Sequence, residues 1–114
     1  MPKSDLVRLR HMLDAAREAA SFAEGRQRAD LDKNRMLSLS LLRLLETIGE
    51  AAGRVTEEGR LRYSRLPWRE VVDMRNRLIH GYDDIDLDRV WETVTADLPP
   101  LIRELEVILS QERA

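Results

Sequence analysis

Leu6, Leu9, Leu13, Ala16, Ala20 and Ala23 recur in steps of three and four, and no stretch of the chain alternates apolar and polar residues with period two. A chain patterned in this way buries its apolar groups by laying helical faces against one another. The first helix is expected from Ser4 or Asp5 to Glu24, with Gly25 as its C-terminal stop. After a polar link from Arg26 to Lys33, Leu37, Leu41, Leu44, Leu45, Ile48, Ala52 and Val55 mark a long second helix. Its outer face carries Arg43, Glu46, Glu50 and Arg54, and Gly49 and Gly53 beside Ala52 offer close approach to another backbone. Residues 57 to 66 read as a loop or short turn. Pro67 suits the first position of a third helix, whose core face holds Val71, Val72, Met74, Leu78 and Ile79, and which should end at Gly81. Asp84 or Asp86 can cap a fourth helix bearing Leu87, Val90, Trp91 and Val94. Pro99 and Pro100 should kink or split it from a last segment with Leu101, Ile102, Leu105, Ile108 and Leu109. The expectation is an all-α, compact bundle of four to five helices forming one domain over residues 1–114.

Only 4% of the residues are aromatic, so the core must be aliphatic. The absence of cysteine excludes disulfide scaffolds, thiolate nucleophiles and zinc-cysteine sites. No segment approaches the ~20 apolar residues of a membrane span, and the N-terminus from Met1 to Asp5 lacks the apolar core of a signal peptide. A cytoplasmic protein without membrane contact is therefore expected. Net charge is −2, which argues against a polybasic nucleic-acid binder, but the charge is unevenly placed. Six arginines stand against two acids between Arg60 and His80, and five acids against one arginine between Asp83 and Glu92.

The polar groups best suited to phosphate chemistry fall together in Arg75-Asn76-Arg77-Leu78-Ile79-His80-Gly81-Tyr82. Arginine is a permanently charged planar fork that matches phosphate oxygens, and histidine exchanges protons near neutral pH. On a regular helix Asn76 and Arg77 lie nearly in register with His80, whereas Arg75 is turned by about 140°. Metal-free RNA cleavage needs a base for the 2'-hydroxyl, an acid for the leaving 5'-oxygen and cations at phosphorus. One chain brings one histidine to this segment, so a homodimer sharing two copies of His80 and Arg75 across a two-fold axis would suit the chemistry. The structural alternative is a histidine favoured by a helix C-terminus, with arginines on a solvated face. Arg60, Arg62, Arg65, Arg69 and Arg77 could guide an RNA backbone, Arg69 and Arg77 being the nearest candidates, or pair with Glu57, Glu58, Glu70 and Asp73. Trp68 and Trp91 read as core anchors and His11 as a surface residue. Asp84, Asp86 and Asp88 imitate the start of a calcium loop, but Arg89 stands where its glycine should be and Thr95 where its last ligand should be. His80 with Asp83 or Asp84 lacks the second histidine of a transition-metal site. No cofactor or metal is expected.

Arg75, four residues, His80, one residue and Tyr82 resemble the signature of HEPN-domain ribonucleases, and specifically the HepT toxin branch. Ile48-Gly49-Glu50-Ala51-Ala52, Leu66-Pro67-Trp68, Met74-Arg75-Asn76, Ile85-Asp86 and Val90-Trp91 extend the resemblance over most of the chain. It implies a HEPN-like homodimer that is the toxin of a toxin–antitoxin module and cleaves cellular RNA without a metal. Arg75 and His80 would be its catalytic pair and Asn76 a polar assistant. Tyr82 would be the residue to which an MntA-type nucleotidyltransferase antitoxin transfers AMP. The other function class is a non-catalytic helical dimer that binds nucleotide or RNA as the partner of a nucleotidyltransferase.

Overall fold

The computed structural model describes residues 3–113, so Met1, Pro2 and Ala114 lie outside it, and with them part of the N-terminal stretch from Met1 to Asp5 considered above. The chain forms α1 (Lys3–Ala23), α2 (Asp30–Lys33), α3 (Arg35–Gly53), α4 (Glu57–Arg62), α5 (Trp68–Val72) and α6 (Met74–Leu78). A two-stranded ribbon follows, β1 (Ile79–Gly81) and β2 (Asp84–Ile85), then α7 (Leu87–Glu92), a π turn (Thr93–Asp97) and α8 (Leu98–Arg113). The long helices α1, α3 and α8 enclose the core: α1 packs on both others, and Leu9, Met12, Leu41, Leu45, Ile48 and Leu105 are fully or almost fully buried between them. The architecture is the expected small all-α bundle.

Local chemistry explains most boundaries. Gly25 takes φ +74, the left-handed conformation that ends α1 without a Cβ penalty. Asn34 caps α3 by accepting the Leu37 N–H at 3.0 Å, and Thr56 caps α4 by accepting the Gly59 N–H at 3.1 Å. The stretch expected to be loop therefore holds a real helix, started by that threonine and by Glu57 and Glu58 in its first turn. Gly49 does allow a close approach, because a Cβ there would stand 3.2 Å from the Val71 carbonyl oxygen, whereas one at Gly53 would meet nothing within 4 Å.

Further expectations are corrected. The third helix is two short ones, broken at Asp73 (φ −86, ψ 5), whose carboxylate takes a hydrogen bond from the Asn76 side chain at 2.7 Å. The break puts Val71 and Met74 into the core and leaves Val72 38% exposed. Pro67 precedes this helix as its cap rather than opening it. Nor does the helix reach Gly81: Ile79, a β-branched residue, is extended at φ −124, ψ 117, and His80 lies on β1. Strands of three and two residues are too short to show alternation in sequence. Finally, of the kink or split expected at Pro99 and Pro100, the split between the fourth helix and the last segment does not occur. The Leu98 N–H reaches the Thr93 carbonyl in an i to i+5 bond, so a π turn absorbs the prolines' missing donors and α8 continues.

Candidate active site

Arg75 lies on α6, and its Nε donates to Glu46 Oε2 on α3 at 2.9 Å. Glu46 belongs to the face read as outward, yet its side chain is only 19% exposed because Arg75 lies against it. The pair holds the guanidinium at the protein surface, where Arg75 is exposed. His80 is exposed on β1, and its Nε2 is 3.4 Å from Asp86 Oδ2. Asp86 follows β2, and its Oδ1 accepts the Arg89 N–H at 3.0 Å, capping α7 as the sequence suggests. The Arg89 N–H, and after it His80, hold the Asp86 carboxyl below the usual carboxylate range.

The ribbon pairs Ile79 with Ile85 and Gly81 with Asp84, with an irregularity between that falls at His80. The Asp86 N–H donates to the Leu78 carbonyl at 2.8 Å and ties the end of α6 to the start of α7. Tyr82 occupies the turn and is fully exposed, beside the exposed Asp83 and Asp84. The fold thus brings Arg75, His80 and Tyr82 onto neighbouring short elements, each held from outside the motif or lifted clear of the bundle. Because His80 has left the helix, its expected helical register with Asn76 and Arg77 does not apply. Asn76 is engaged with Asp73.

The contacts that two carboxylates make at the site were missed in the sequence. Glu46 is 29 positions from Arg75, and no helical spacing announces such a contact. Asp86 could be read as a cap, but its second oxygen faces His80 only because the ribbon folds back.

The arginines expected to meet RNA divide. Arg60 Nη2 donates to the Ala52 and Gly53 carbonyls at 3.2 Å and lies over the Trp68 ring, so it caps the end of α3. Arg62 pairs with Glu112 at 3.0 Å and Arg65 with Glu104 at 3.6 Å. Among the described residues no ion-pair partner is found for Arg69 or Arg77. Trp68 and Trp91 are half-buried against the core, and His11 is exposed. A cavity of about 550 Å³ between α5 and α6 on one side and the π turn and α8 on the other is lined by Arg77, Met74 and Leu101 among others but not by Arg75, His80 or Tyr82. Arg75 and His80 therefore stand on open surface. No group of three or more His, Cys, Asp or Glu that could hold a metal occurs among the described residues, and no described helix is long and apolar enough to cross a membrane.

A family model described as "Ribonuclease HepT-like" matches residues 12–108. The chain belongs to the HepT-like ribonuclease family. Within that family it is 32% identical over 105 residues to a Caldanaerobacter subterraneus subsp. tengcongensis protein named "Putative RNase", covering 92% of this chain and 94% of that one. A Methanocaldococcus jannaschii protein of the same description is 32% identical over 97 residues, covering 85% and 89% of the two chains. A Thermococcus cleftensis protein named "Probable ribonuclease HepT" is 37% identical over 67 residues, covering 59% and 61%. No solved structure matches. The residues matched by the family model include the stretch from Glu46 to Asp86.

The lowered Asp86 carboxyl makes a pH dependence testable. A carboxyl whose folded value lies below its unfolded value stabilises the fold above the ordinary carboxylate range and loses that contribution as pH falls through the folded value. Wild-type stability should therefore drop on acidification below pH 3.8, the ordinary value for the group, and Asp86→Asn should lack this part of the drop. Thermal unfolding followed at several acidic pH values would show it, and parallel curves for the two proteins would refute it.

Proposed function

We propose that this HepT-like ribonuclease is the toxin of a toxin–antitoxin module, an endoribonuclease that cleaves cellular messenger or transfer RNA in the cytoplasm without a metal. The observation that carries the reading is the pairing of Arg75 with Glu46 and of His80 with Asp86 on open surface, with Tyr82 two residues beyond His80. Arg75 supplies fixed positive charge for a phosphate in flight, and His80 supplies a group that takes or returns a proton. One copy offers one imidazole where the reaction uses both a base and an acid. Two copies related by a two-fold axis would provide both, and an open site suits a partner that completes it. Asn76 would assist from its place beside Arg75.

Tyr82 is the proposed brake. An MntA-type nucleotidyltransferase antitoxin would move AMP from ATP to the phenol, whose full exposure gives such an enzyme access. A nucleotide there places bulk and negative charge beside the substrate phosphate. Purified protein of verified unmodified mass should cleave RNA in EDTA and stop doing so once AMP is attached. Tyr82→Phe should cleave equally well but gain no mass with the antitoxin and ATP. RNA left intact by the unmodified protein would move the assignment to the non-catalytic binding partner of a nucleotidyltransferase.

Arg69 and Arg77, which have no carboxylate partner among the described residues, are the proposed contacts to the RNA backbone. Arg77→Glu should weaken binding of RNA of any sequence and flatten the slope of log affinity against log salt by about one. Titrations of His80→Ala protein with labelled RNA at several salt concentrations would measure this, and an unchanged slope would remove Arg77 from the interface.

A further inference from the structure

We propose that Asp86 is the positioning residue for His80, accepting the Nε2–H so that Nδ1 is the ring nitrogen left to exchange a proton with RNA. The inference rests on the ribonuclease reading above and adds the orientation of its proton carrier. It starts from the way the two carboxylate oxygens divide their work. Oδ1 accepts the Arg89 N–H at 3.0 Å, and Oδ2 lies 3.4 Å from His80 Nε2. The main chain of Asp86 is also held on both sides, its N–H donating to the Leu78 carbonyl at 2.8 Å and its carbonyl accepting the Val90 N–H at 2.9 Å. The carboxylate is thus fixed to the end of α6 and the start of α7, while His80 sits at the irregularity of the ribbon that joins them.

An ionised carboxylate only accepts hydrogen bonds, and a neutral imidazole has one N–H. With Asp86 facing Nε2, that N–H is on Nε2 and the lone pair is on Nδ1. When Nδ1 takes the proton of a ribose 2'-hydroxyl, the O–H bond breaks, an N–H bond forms and the oxygen keeps the electron pair it directs at phosphorus. The imidazolium then carries its new charge beside a carboxylate already in place, as in other histidine-carboxylate pairs. Such contacts are commonly long in a free enzyme and tighten with substrate. The other charged residues on the elements that flank His80 are Arg75 and Arg77 on α6, Asp83 in the turn, Asp84 on β2, and Asp88 and Arg89 on α7. Among the described residues only Asp86 is within hydrogen-bond distance of the ring.

Asp86→Asn tests this without removing the cap, since asparagine caps helices as well as aspartate does. Its oxygen stays on the Arg89 N–H, which turns the amide NH₂ toward Nε2. A donor now faces the ring, and the proton must move to Nδ1. Imidazole ¹⁵N shifts should report Nε2–H for His80 in the wild type and Nδ1–H in Asp86→Asn, with the exposed His11 unchanged as an internal reference. RNA cleavage should lose on the order of 10² or more in kcat with KM little altered, by analogy with the roughly 10⁴-fold loss in a serine protease given the same change. Asp86→Ala, which offers the ring neither donor nor acceptor, should give His80 the tautomer balance of His11. An identical His80 tautomer in wild type and Asp86→Asn would overturn the proposal, as would a flipped tautomer with kcat unchanged. The spectra need no nuclease activity, so a failure of the ribonuclease reading itself would appear separately, as an inactive wild type.

Discussion

Replacing His80 with alanine should lower RNA cleavage on the order of 10² to 10⁴-fold, the range for removing a positioned acid or base. The side chain is 54% exposed and outside the core, so unfolding should barely change. Arg75→Ala should cost a similar factor, because the role proposed for the guanidinium is to supply charge where the phosphorane develops it. Arg75→Lys should recover only part, since a lysine cannot donate from Nε to Glu46 while presenting a planar fork to phosphate. Initial rates on labelled RNA, with protein mass verified beforehand, measure all three. Wild-type rates in His80→Ala would remove His80 from the chemistry, and full activity in Arg75→Lys would mean that the fork is not used.

Gly59→Ala should destabilise the fold by about 2–4 kcal/mol, the cost of forcing a methyl into a space that cannot yield. Asp5 is fully buried, and its carboxylate accepts the Thr56 N–H at 3.0 Å and the Thr56 hydroxyl at 2.5 Å, joining the first turn of α1 to the cap of α4. A Cβ on Gly59 would stand 2.5 Å from Asp5 Oδ2 and 2.9 Å from Val55 Cγ1. The carboxylate is short and doubly bonded, so it cannot swing aside without leaving a buried charge unpaired. Gly53→Ala is the control. Its Cβ meets nothing, its φ is not positive, and replacing glycine near a helix end should gain about 0.4–1 kcal/mol. Urea denaturation of both variants decides the matter: midpoints shifted equally and in one direction would refute the packing account.

Periodicity made the long helices legible because it reports which face of a helix is apolar, and Leu9, Leu13, Leu41, Leu45 and Leu105 are buried as their spacing implies. Gly25 and Asp86 were legible for a local reason, since a helix stop and a cap act within a few residues of where they stand. Asp5 was not, because a carboxylate early in a helix looks like a solvated cap until α4 folds over it. The same limit applies at the site. Arg75 and His80 were legible as residue types suited to phosphate, but a polar residue on an outer face does not reveal which distant side chain will cover it. Glu46 is such a residue. The break at Asp73 and the ribbon escaped because each is a backbone event of one to three residues, shorter than any pattern.

The turn that lifts Tyr82 clear of the bundle contributes nothing to the packed interior. A group attached to that phenol would leave the folded population almost untouched, and cellular proteases that remove unfolded chains would treat bare and modified protein alike. Abundance would then carry no record of which form is present. The ratio of the two would be set only by the enzymes that add and remove the group, and so could change within one lifetime of the same molecule.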